Sequence, residues 1–288
     1  MNRLFDLLFS LWQYVIPQHG LTSLVYRFTR VRISWVKNLQ IQIFIKFFSV
    51  NMLETMQPSP LEYETFNAFF TRKLKTDART WRSNSNNIIS PVDGAISQIG
   101  QISKDRIIQA KGKDYSLKQL LADDDVLLKR FESGSFATLY LSPKDYHRIH
   151  MPINGTLLKS IFVPGKLFSV NNPTVRTVDS LFARNERFVS VFDTEQGQFA
   201  LIMVGALFVG SMSTVFTGQI TPTKKRQVYA REYSQQEQIL LKQGDEFGFF
   251  NMGSTVILLF ENNRINWLEE LSPQNNIKVG QIIGNLVT

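Results

Sequence analysis

The first 75 residues carry apolar runs interrupted by single polar residues, a pattern typical of helices. The run at residues 4–16 is shorter than the roughly 20 residues that span a bilayer, and Asp6 and Gln13 interrupt it before Pro17. A second run, at residues 33–48, also mixes charged and amide side chains with apolar ones. We interpret both runs as helices that lie in the headgroup region of a membrane, with packing on the protein core as the alternative.

A further helix is predicted to start at Ser59-Pro60-Leu61-Glu62, which combines a capping box with proline at the first helical position. This helix is expected to end near Leu74. Together with the two apolar runs, it makes residues 1–75 a helical region.

After a polar linker at residues 83–87, apolar runs bounded by turn residues predict strands. The predicted strands cover residues 95–102, 136–141, 155–163, 188–194, 199–204, 211–218, 254–260 and 278–283, and a helical insert covers residues 116–131. Helices do not follow the strands regularly, which argues against a doubly wound parallel sheet. We therefore predict an α+β fold, in which a helical, membrane-associating region (residues 1–75) precedes a β-rich, mainly antiparallel catalytic domain (residues 76–288).

Charge and composition narrow the class of protein. The net charge is +8, and residues 1–50 contribute 6 − 1 = +5 of it. Basic residues within an apolar segment favour an anionic membrane surface as partner and argue against nucleic acid.

The chain has no cysteine, which excludes disulfides, thiolate metal sites and a cysteine nucleophile. No small-residue cleavage site follows the first apolar run, so a removable signal peptide is not predicted.

Two of the three histidines, His147 and His150, lie three residues apart and are the best candidates for acid–base chemistry. A metal site on this pair would need a third ligand from elsewhere, and Pro143 and Pro152 bracket the segment, so we predict no metal. The sequence contains no nucleotide-binding glycine motif and no G-x-S-x-G elbow. Familiar nucleotide-binding and serine hydrolase sites are therefore not indicated.

Several short motifs gain meaning only together. Pro91-Val92-Asp93-Gly94 and Gly253-Ser254-Thr255 would each suit an ordinary turn. These two motifs, Thr65-Phe66-Asn67-Ala68-Phe69-Phe70-Thr71-Arg72, the segments at residues 141–152 and 163–171, and Phe182-Ala183-Arg184-Asn185-Glu186-Arg187 follow one order across most of the chain. In this order the chain resembles the prokaryotic type of the phosphatidylserine decarboxylase family. Met252 departs from the leucine usual in that family, a swap that conserves size and hydrophobicity.

The resemblance implies a self-made cofactor. Ser254 would attack the carbonyl of Gly253, and the resulting ester would eliminate and hydrolyse to a covalent pyruvoyl group, with Asp93 orienting His150 as the base. Cleavage would give a β chain (residues 1–253) and an α chain (residues 254–288) that stay associated. The pyruvoyl group would form a Schiff base with phosphatidylserine, in place of pyridoxal phosphate and without a metal.

The resemblance also assigns His147 to the decarboxylation step that gives phosphatidylethanolamine. Ser169 is a candidate substrate contact, with an ordinary turn as the alternative. Arg184 and Arg187 could meet the lipid phosphate, although a solvated or structural role is more common for such arginines. The implied location is peripheral, on the cytoplasmic face of the bacterial cell membrane. A homodimer is compatible with the sequence, which does not decide the oligomeric state.

Two other classes of protein remain open on the residues alone. A Ser-His-Asp hydrolase could use the same three side chains on an external ester without cleaving itself. A membrane-surface scaffold or carrier could hold the histidines as structural residues.

Overall fold

The computed structural model describes residues 3–81, 86–208, 211–223, 226–251 and 255–287. The predicted cleavage site, Gly253-Ser254, therefore lies outside the described residues.

Three helices form the N-terminal region, as the apolar runs predict. Helix α1 covers Arg3–Val15, α2 covers Gln18–Phe28 and α3 covers Ser34–Phe48. Pro17 separates the first two helices, and Ser49 ends α3 in the left-handed conformation. Among the described residues, no helix combines the length and the apolarity that crossing a membrane requires.

The helix predicted from Ser59 to Leu74 is wrong in extent. A single 3₁₀ turn covers Pro60–Glu62, and a separate short helix, α4, covers Phe66–Phe70. The Ser59 hydroxyl caps only the turn, whereas the Thr65 hydroxyl accepts a hydrogen bond from the Ala68 N–H (3.0 Å) and starts α4. The extended backbone at Thr65 thus divides the predicted helix in two.

Strands dominate the rest of the described chain. In chain order they are β1 Asn87–Ile89, β2 Gly94–Gln101, β3 Arg106–Ala110, β4 Lys113–Ser116, β5 Ser135–Tyr140, β6 Arg148–His150, β7 Gly155–Val163, β8 Arg187–Thr194, β9 Gly197–Val204, β10 Met212–Thr214, β11 Gly218–Gln219, β12 Tyr229–Glu232, β13 Leu240–Leu241, β14 Glu246–Phe250, β15 Thr255–Phe260, β16 Ile265–Trp267, β17 Asn276–Ile277 and β18 Ile282–Leu286. Four short helices lie among them: α5 Leu117–Leu120, α6 Asp125–Phe131, α7 Asn172–Thr177 and α8 Leu181–Arg184.

The described strands form one large sheet and three smaller ones. The large sheet has nine strands in the order β12-β7-β8-β9-β15-β5-β2-β17, with β13 also paired to β7. The smaller sheets have the orders β11-β10-β14-β6, β1-β18-β16 and β3-β4. Every pair of these strands is antiparallel, which confirms the predicted α+β class with a mainly antiparallel β-rich region. The proposed division of the chain at residue 75 stays a prediction.

Two predicted elements are interrupted in the structure. The helical insert at residues 116–131 is split because Ala122 and Asp123 adopt positive φ angles (63° and 60°), after which Asp124 caps α6. The strand predicted at residues 278–283 is replaced by a turn with Gly280 at φ 83°, so that β17 ends before it and β18 begins after it. In both places, residues in the left-handed conformation interrupt an element that the apolar pattern predicts to be continuous.

Candidate active site

The chain on either side of the predicted cleavage site is fixed by neighbouring strands. At the end of β14, the N–H of Phe250 donates to the carbonyl oxygen of His147 (3.1 Å). On the other side, Thr255 opens β15 and pairs with Tyr140 of β5 and Val204 of β9. Asn251, the last described residue before the site, donates its N–H to the carbonyl oxygen of Ser211 (2.9 Å). The described chain therefore runs past His147 and Ser211 before Gly253-Ser254 and past Tyr140 after it.

His147 is fully buried and carries its proton on one defined nitrogen. Its Nδ1 lies 2.8 Å from the carbonyl oxygen of Asp145, which can only accept, so Nδ1 holds the hydrogen. Its Nε2 is buried and has no hydrogen-bond partner among the described residues, and the ring of Phe70 packs 4.1 Å away, centroid to centroid. Burial, reinforced by the charge of Arg72, lowers the pKa of His147 to about 3. His147 is thus neutral near pH 7 and presents an unprotonated Nε2.

His150 lies in a different set of contacts. Its Nδ1 donates to the carbonyl oxygen of Gly244 (2.8 Å), and its Nε2 accepts from the hydroxyl of Tyr146 (3.0 Å). Burial raises the pKa of the Tyr146 phenol, which therefore stays protonated and able to donate. Burial lowers the pKa of His150, whose ring packs against that of Trp81 with the ring centroids 4.9 Å apart. His150 is consequently a neutral imidazole whose Nε2 could take a proton.

Asp93 is held by cations and a backbone N–H. Its carboxylate accepts from Arg79 through Nε (3.0 Å) and Nη2, from Lys278 Nζ (3.3 Å) and from the Val279 N–H (2.8 Å). Neither nitrogen of His150 is bonded to this carboxylate, because each already has another partner. The expected direct Asp93–His150 contact is therefore not formed in this structure.

Asp93 nevertheless lies in the same region as His150. The N–H of His150 donates to the carbonyl oxygen of Pro91 (2.9 Å), two residues before Asp93. The negative charge of Asp93 also acts to raise the pKa of His150, against the larger effect of burial. Asp93 can therefore favour a protonated His150 through space.

Ser169 lines a cavity of about 250 Å³ next to this region. Tyr140, the strand partner of Thr255, and Phe70, the ring neighbour of His147, line the same cavity. Phe44 and Phe48 of α3 complete its apolar side. Ser169 therefore shares a cavity with Phe70, which packs on His147, and with Tyr140, which pairs with Thr255.

A second, polar cavity of about 190 Å³ lies on the side of Asp93. Arg72 lines it and is buried, with Nη2 donating to the carbonyl oxygens of Lys144 (3.0 Å) and Asp145 (3.3 Å). Within the described part of the chain, the Nε and Nη1 atoms of Arg72 are buried and have no hydrogen-bond partner. A guanidinium with unused donors can receive an anionic group.

The sequence motifs did not indicate roles for Arg72, Arg79 or Tyr146. Arg72 ends the motif at residues 65–72, and Tyr146 precedes His147, so both lie inside segments that carried the resemblance. Arg79 lies in neither segment, and its contact with Asp93 depends on the fold.

The two other arginines considered at the sequence level have structural contacts. Arg187 is buried and donates to the carbonyl oxygens of Leu120 (2.7 Å) and Ala183 (2.6 Å). Arg184 lies over the rings of Tyr14 and Phe168. Arg187 therefore uses its guanidinium in hydrogen bonds within the protein, which favours a structural role over contact with the lipid phosphate.

Fold and site together define an α+β enzyme with buried histidines beside a strand connection. The family model described as phosphatidylserine decarboxylase matches residues 66–285, and a second, described as PSD, matches residues 8–49. The chain belongs to the phosphatidylserine decarboxylase family and is an enzyme of that family, a carboxy-lyase. This finding confirms the family predicted from the motifs.

Curated relatives match over nearly their full length. A phosphatidylserine decarboxylase proenzyme from Nitrosococcus oceani is 50% identical over 287 residues, which cover 100% of this chain and 94% of the relative. Proenzymes of the same name from Saccharophagus degradans and Alcanivorax borkumensis are 49% and 48% identical. These matches cover 98% and 97% of this chain, and 99% and 96% of the relatives.

Proposed function

We propose that this enzyme converts phosphatidylserine to phosphatidylethanolamine with a pyruvoyl group that it makes from Ser254 by cleaving its own Gly253-Ser254 bond. The observation that carries the proposal is His147: its carbonyl oxygen accepts from the N–H of Phe250, on the chain that leads to this bond, and its buried Nε2 has no hydrogen-bond partner among the described residues. The name proenzyme, given to the curated relatives, agrees with processing.

In the processing step, His150 would act as the base. Its Nε2 would take the proton of the Ser254 hydroxyl, and the oxygen would attack the carbonyl of Gly253, so that the peptide bond becomes an ester. Loss of the Ser254 α-proton would then expel the Gly253 carboxylate, and addition of water would release ammonia and leave a ketone. For this transfer, Nε2 would first give up the hydrogen bond that it accepts from the Tyr146 hydroxyl. Asp93 would then stabilise the protonated His150 by its charge.

The residues around the site suit a carbonyl cofactor. A buried, neutral imidazole with an unpartnered Nε2 is able to exchange a proton with a reacting group without competing water. When formed, the pyruvoyl ketone would supply the electron sink that lets carbon dioxide leave the α-carbon of the substrate. His147 would take a proton from the ammonium group of phosphatidylserine and return it to the α-carbon after carbon dioxide has left.

The polar cavity would hold the anionic part of the headgroup. The side chains of Arg72, Lys144 and Lys278 line it and bring positive charge to it. Carboxylates also line it, but Asp93 is already paired with Arg79 and Lys278. The remaining positive charge favours an anionic ligand.

Helix α1 supports a peripheral location on an anionic membrane. It buries its polar side chains Asp6, Ser10 and Gln13 and exposes apolar ones such as Leu8 and Leu11. This arrangement is the reverse of a helix on the surface of a water-soluble protein, and it suits contact with lipid. We propose that this face lies on the cytoplasmic surface of the bacterial cell membrane.

An apolar groove also links the helices to the site. It has a volume of about 590 Å³, lies between α2 and α3, and shares Phe44 and Phe48 with the cavity that contains Ser169. Such a continuous apolar surface supports a substrate with acyl chains that reaches the site from the membrane.

Denaturing electrophoresis and mass spectrometry of purified protein test the proposal. Wild type should yield an α chain of 288 − 253 = 35 residues with a pyruvoyl N-terminus. Ser254→Ala should remain intact and release no carbon dioxide from phosphatidylserine. His147→Ala should cleave itself but not decarboxylate, because its imidazole is needed only in turnover.

The same experiment separates the alternatives. A wild-type chain that stays intact and hydrolyses lipid esters would identify a Ser-His-Asp hydrolase. An intact chain that binds vesicles without any turnover would identify a scaffold. Normal cleavage in Ser254→Ala would contradict the assigned bond.

A further inference from the structure

Helix α1 is joined to the catalytic region through its polar face. Asp6, Ser10 and Gln13 lie four or three residues apart, so they form one stripe along the helix, and all three are buried. Buried polar groups require hydrogen-bond partners, and those of this stripe lie mostly in residues 165–177, called here the cavity segment. The cavity segment includes Ser169.

Two glutamine side chains hold the backbone of the cavity segment directly. The Oε1 of Gln13 accepts from the Ser169 N–H (2.8 Å), and the Oε1 of Gln18, at the start of α2, accepts from the Leu167 N–H (2.7 Å). The two N–H groups are two residues apart, and Ser169 lines the 250 Å³ cavity.

The two amides are themselves fixed in orientation. The Nε2 of Gln13 donates to the Phe9 carbonyl oxygen (3.1 Å), and the Nε2 of Gln18 donates to the Gln13 carbonyl oxygen (2.7 Å). Each amide therefore uses its donor on α1 and its acceptor on the cavity segment. This arrangement transmits the position of α1 to Ser169.

Further contacts extend the connection to the end of the cavity segment. Asp6 accepts from Arg176 Nε (3.0 Å) and Nη2 (2.8 Å), and the hydroxyl of Ser10 lies 2.5 Å from that of Thr177. The last six residues of the segment, 172–177, form α7, so α1 contacts a short helix and the loop before it as one unit.

We infer that Gln13 and Gln18 are positioning residues for substrate binding: by holding the backbone at Ser169 and at Leu167, two residues before it, they set the shape of the cavity that Ser169 lines. This inference rests on the proposed function. The glutamines touch neither the histidines nor the cleavage site among the described contacts, so they act on substrate binding through the cavity segment.

The test compares Gln13→Leu with Gln42→Leu, a matched change on the exposed surface of α3. Gln13→Leu removes the acceptor for Ser169 and makes α1 more apolar, so membrane binding should persist. With a short-chain, water-soluble phosphatidylserine, KM should rise about tenfold while kcat stays within twofold, since one hydrogen bond and the order of a loop are lost. Gln42→Leu should match wild type.

Two further measurements separate positioning from general instability and from failure of the proposed function. Self-cleavage, measured by electrophoresis, should be complete in both variants, and flotation with phosphatidylglycerol vesicles should be equal. Gln18→Leu, which removes the acceptor for Leu167, should raise KM in the same way and decides the outcome if Gln13→Leu does not fold.

The inference is overturned if folded Gln13→Leu and Gln18→Leu keep the KM of Gln42→Leu. It is also overturned if KM and kcat change together with a loss of self-cleavage, which indicates a structural role alone. Absence of decarboxylation in wild type would instead contradict the proposed function.

Discussion

At the scale of residues, a spacing of three gives His147 and His150 separate surroundings. Extended backbone sends side chains at odd separations to opposite faces, and β6 begins at Arg148 between them. His147 faces Phe70, whereas His150 shares its face with Tyr146, four residues earlier. The two imidazoles can therefore serve different steps because their neighbours, not their sequence context, set their protonation.

The depressed pKa of His147 predicts an acid-sensitive fold. Its ordinary value is 6.5 and its folded value is about 3, so the neutral form stabilises the protein fully above pH 6.5. This stability is lost as pH falls from 6.5 towards 3, because the unfolded chain binds the proton first, and the loss is at most about 5 kcal/mol. Urea unfolding from pH 7 to pH 3 measures this loss.

His147→Gln provides the comparison, because a neutral amide cannot titrate. The variant should show a shallower fall of unfolding free energy with acid than wild type, while His19 and His150 titrate equally in both proteins. Parallel curves for the two proteins would show that His147 is not buried as a neutral group.

At the scale of elements, long strands were predictable and short ones were not. Residues 155–163 match β7, because nine residues bounded by turns give a clear pattern. Strands of two or three residues, such as β6 and β11, are too short to show the alternation of apolar and polar side chains that predicts a strand. The sequence also did not predict the division of the helix at Thr65 or the contact between Arg79 and Asp93, since both depend on tertiary contacts.

The exposed apolar face of α1 predicts how the enzyme meets a membrane. Replacing both Leu8 and Leu11, each more than half exposed, by serine should weaken binding to anionic vesicles about thirtyfold, or roughly 2 kcal/mol. The residues are already exposed in the folded protein, so self-cleavage should be unchanged. Flotation with phosphatidylglycerol vesicles measures the partition.

A matched pair outside the N-terminal helices controls for the loss of apolar surface. Ile108 and Val126 are also at least half exposed, and replacing both by serine should leave vesicle binding unchanged. Equal binding by the Leu8/Leu11 variant and wild type would mean that the apolar face of α1 meets something other than lipid.

At the scale of the whole molecule, the two chains that the proposed cleavage would produce share one core. Strand β15 lies between β9 and β5, and all six of its residues are buried. Lys278 and the Val279 N–H reach across to Asp93, so the α chain also completes the surroundings of a catalytic candidate in the β chain. The fold therefore predicts that cleavage leaves the molecule intact.

This prediction has a direct measurement. After self-cleavage, the 35-residue α chain should co-elute with the β chain on gel filtration, even in 1 M salt, because apolar burial at β15 does not depend on ionic screening. It should be released only in the urea range that unfolds the β chain, since removing β15 would open the centre of the large sheet. Loss of the α chain in salt, or at urea concentrations well below that range, would mean that polar contacts such as Lys278–Asp93 hold the chains together.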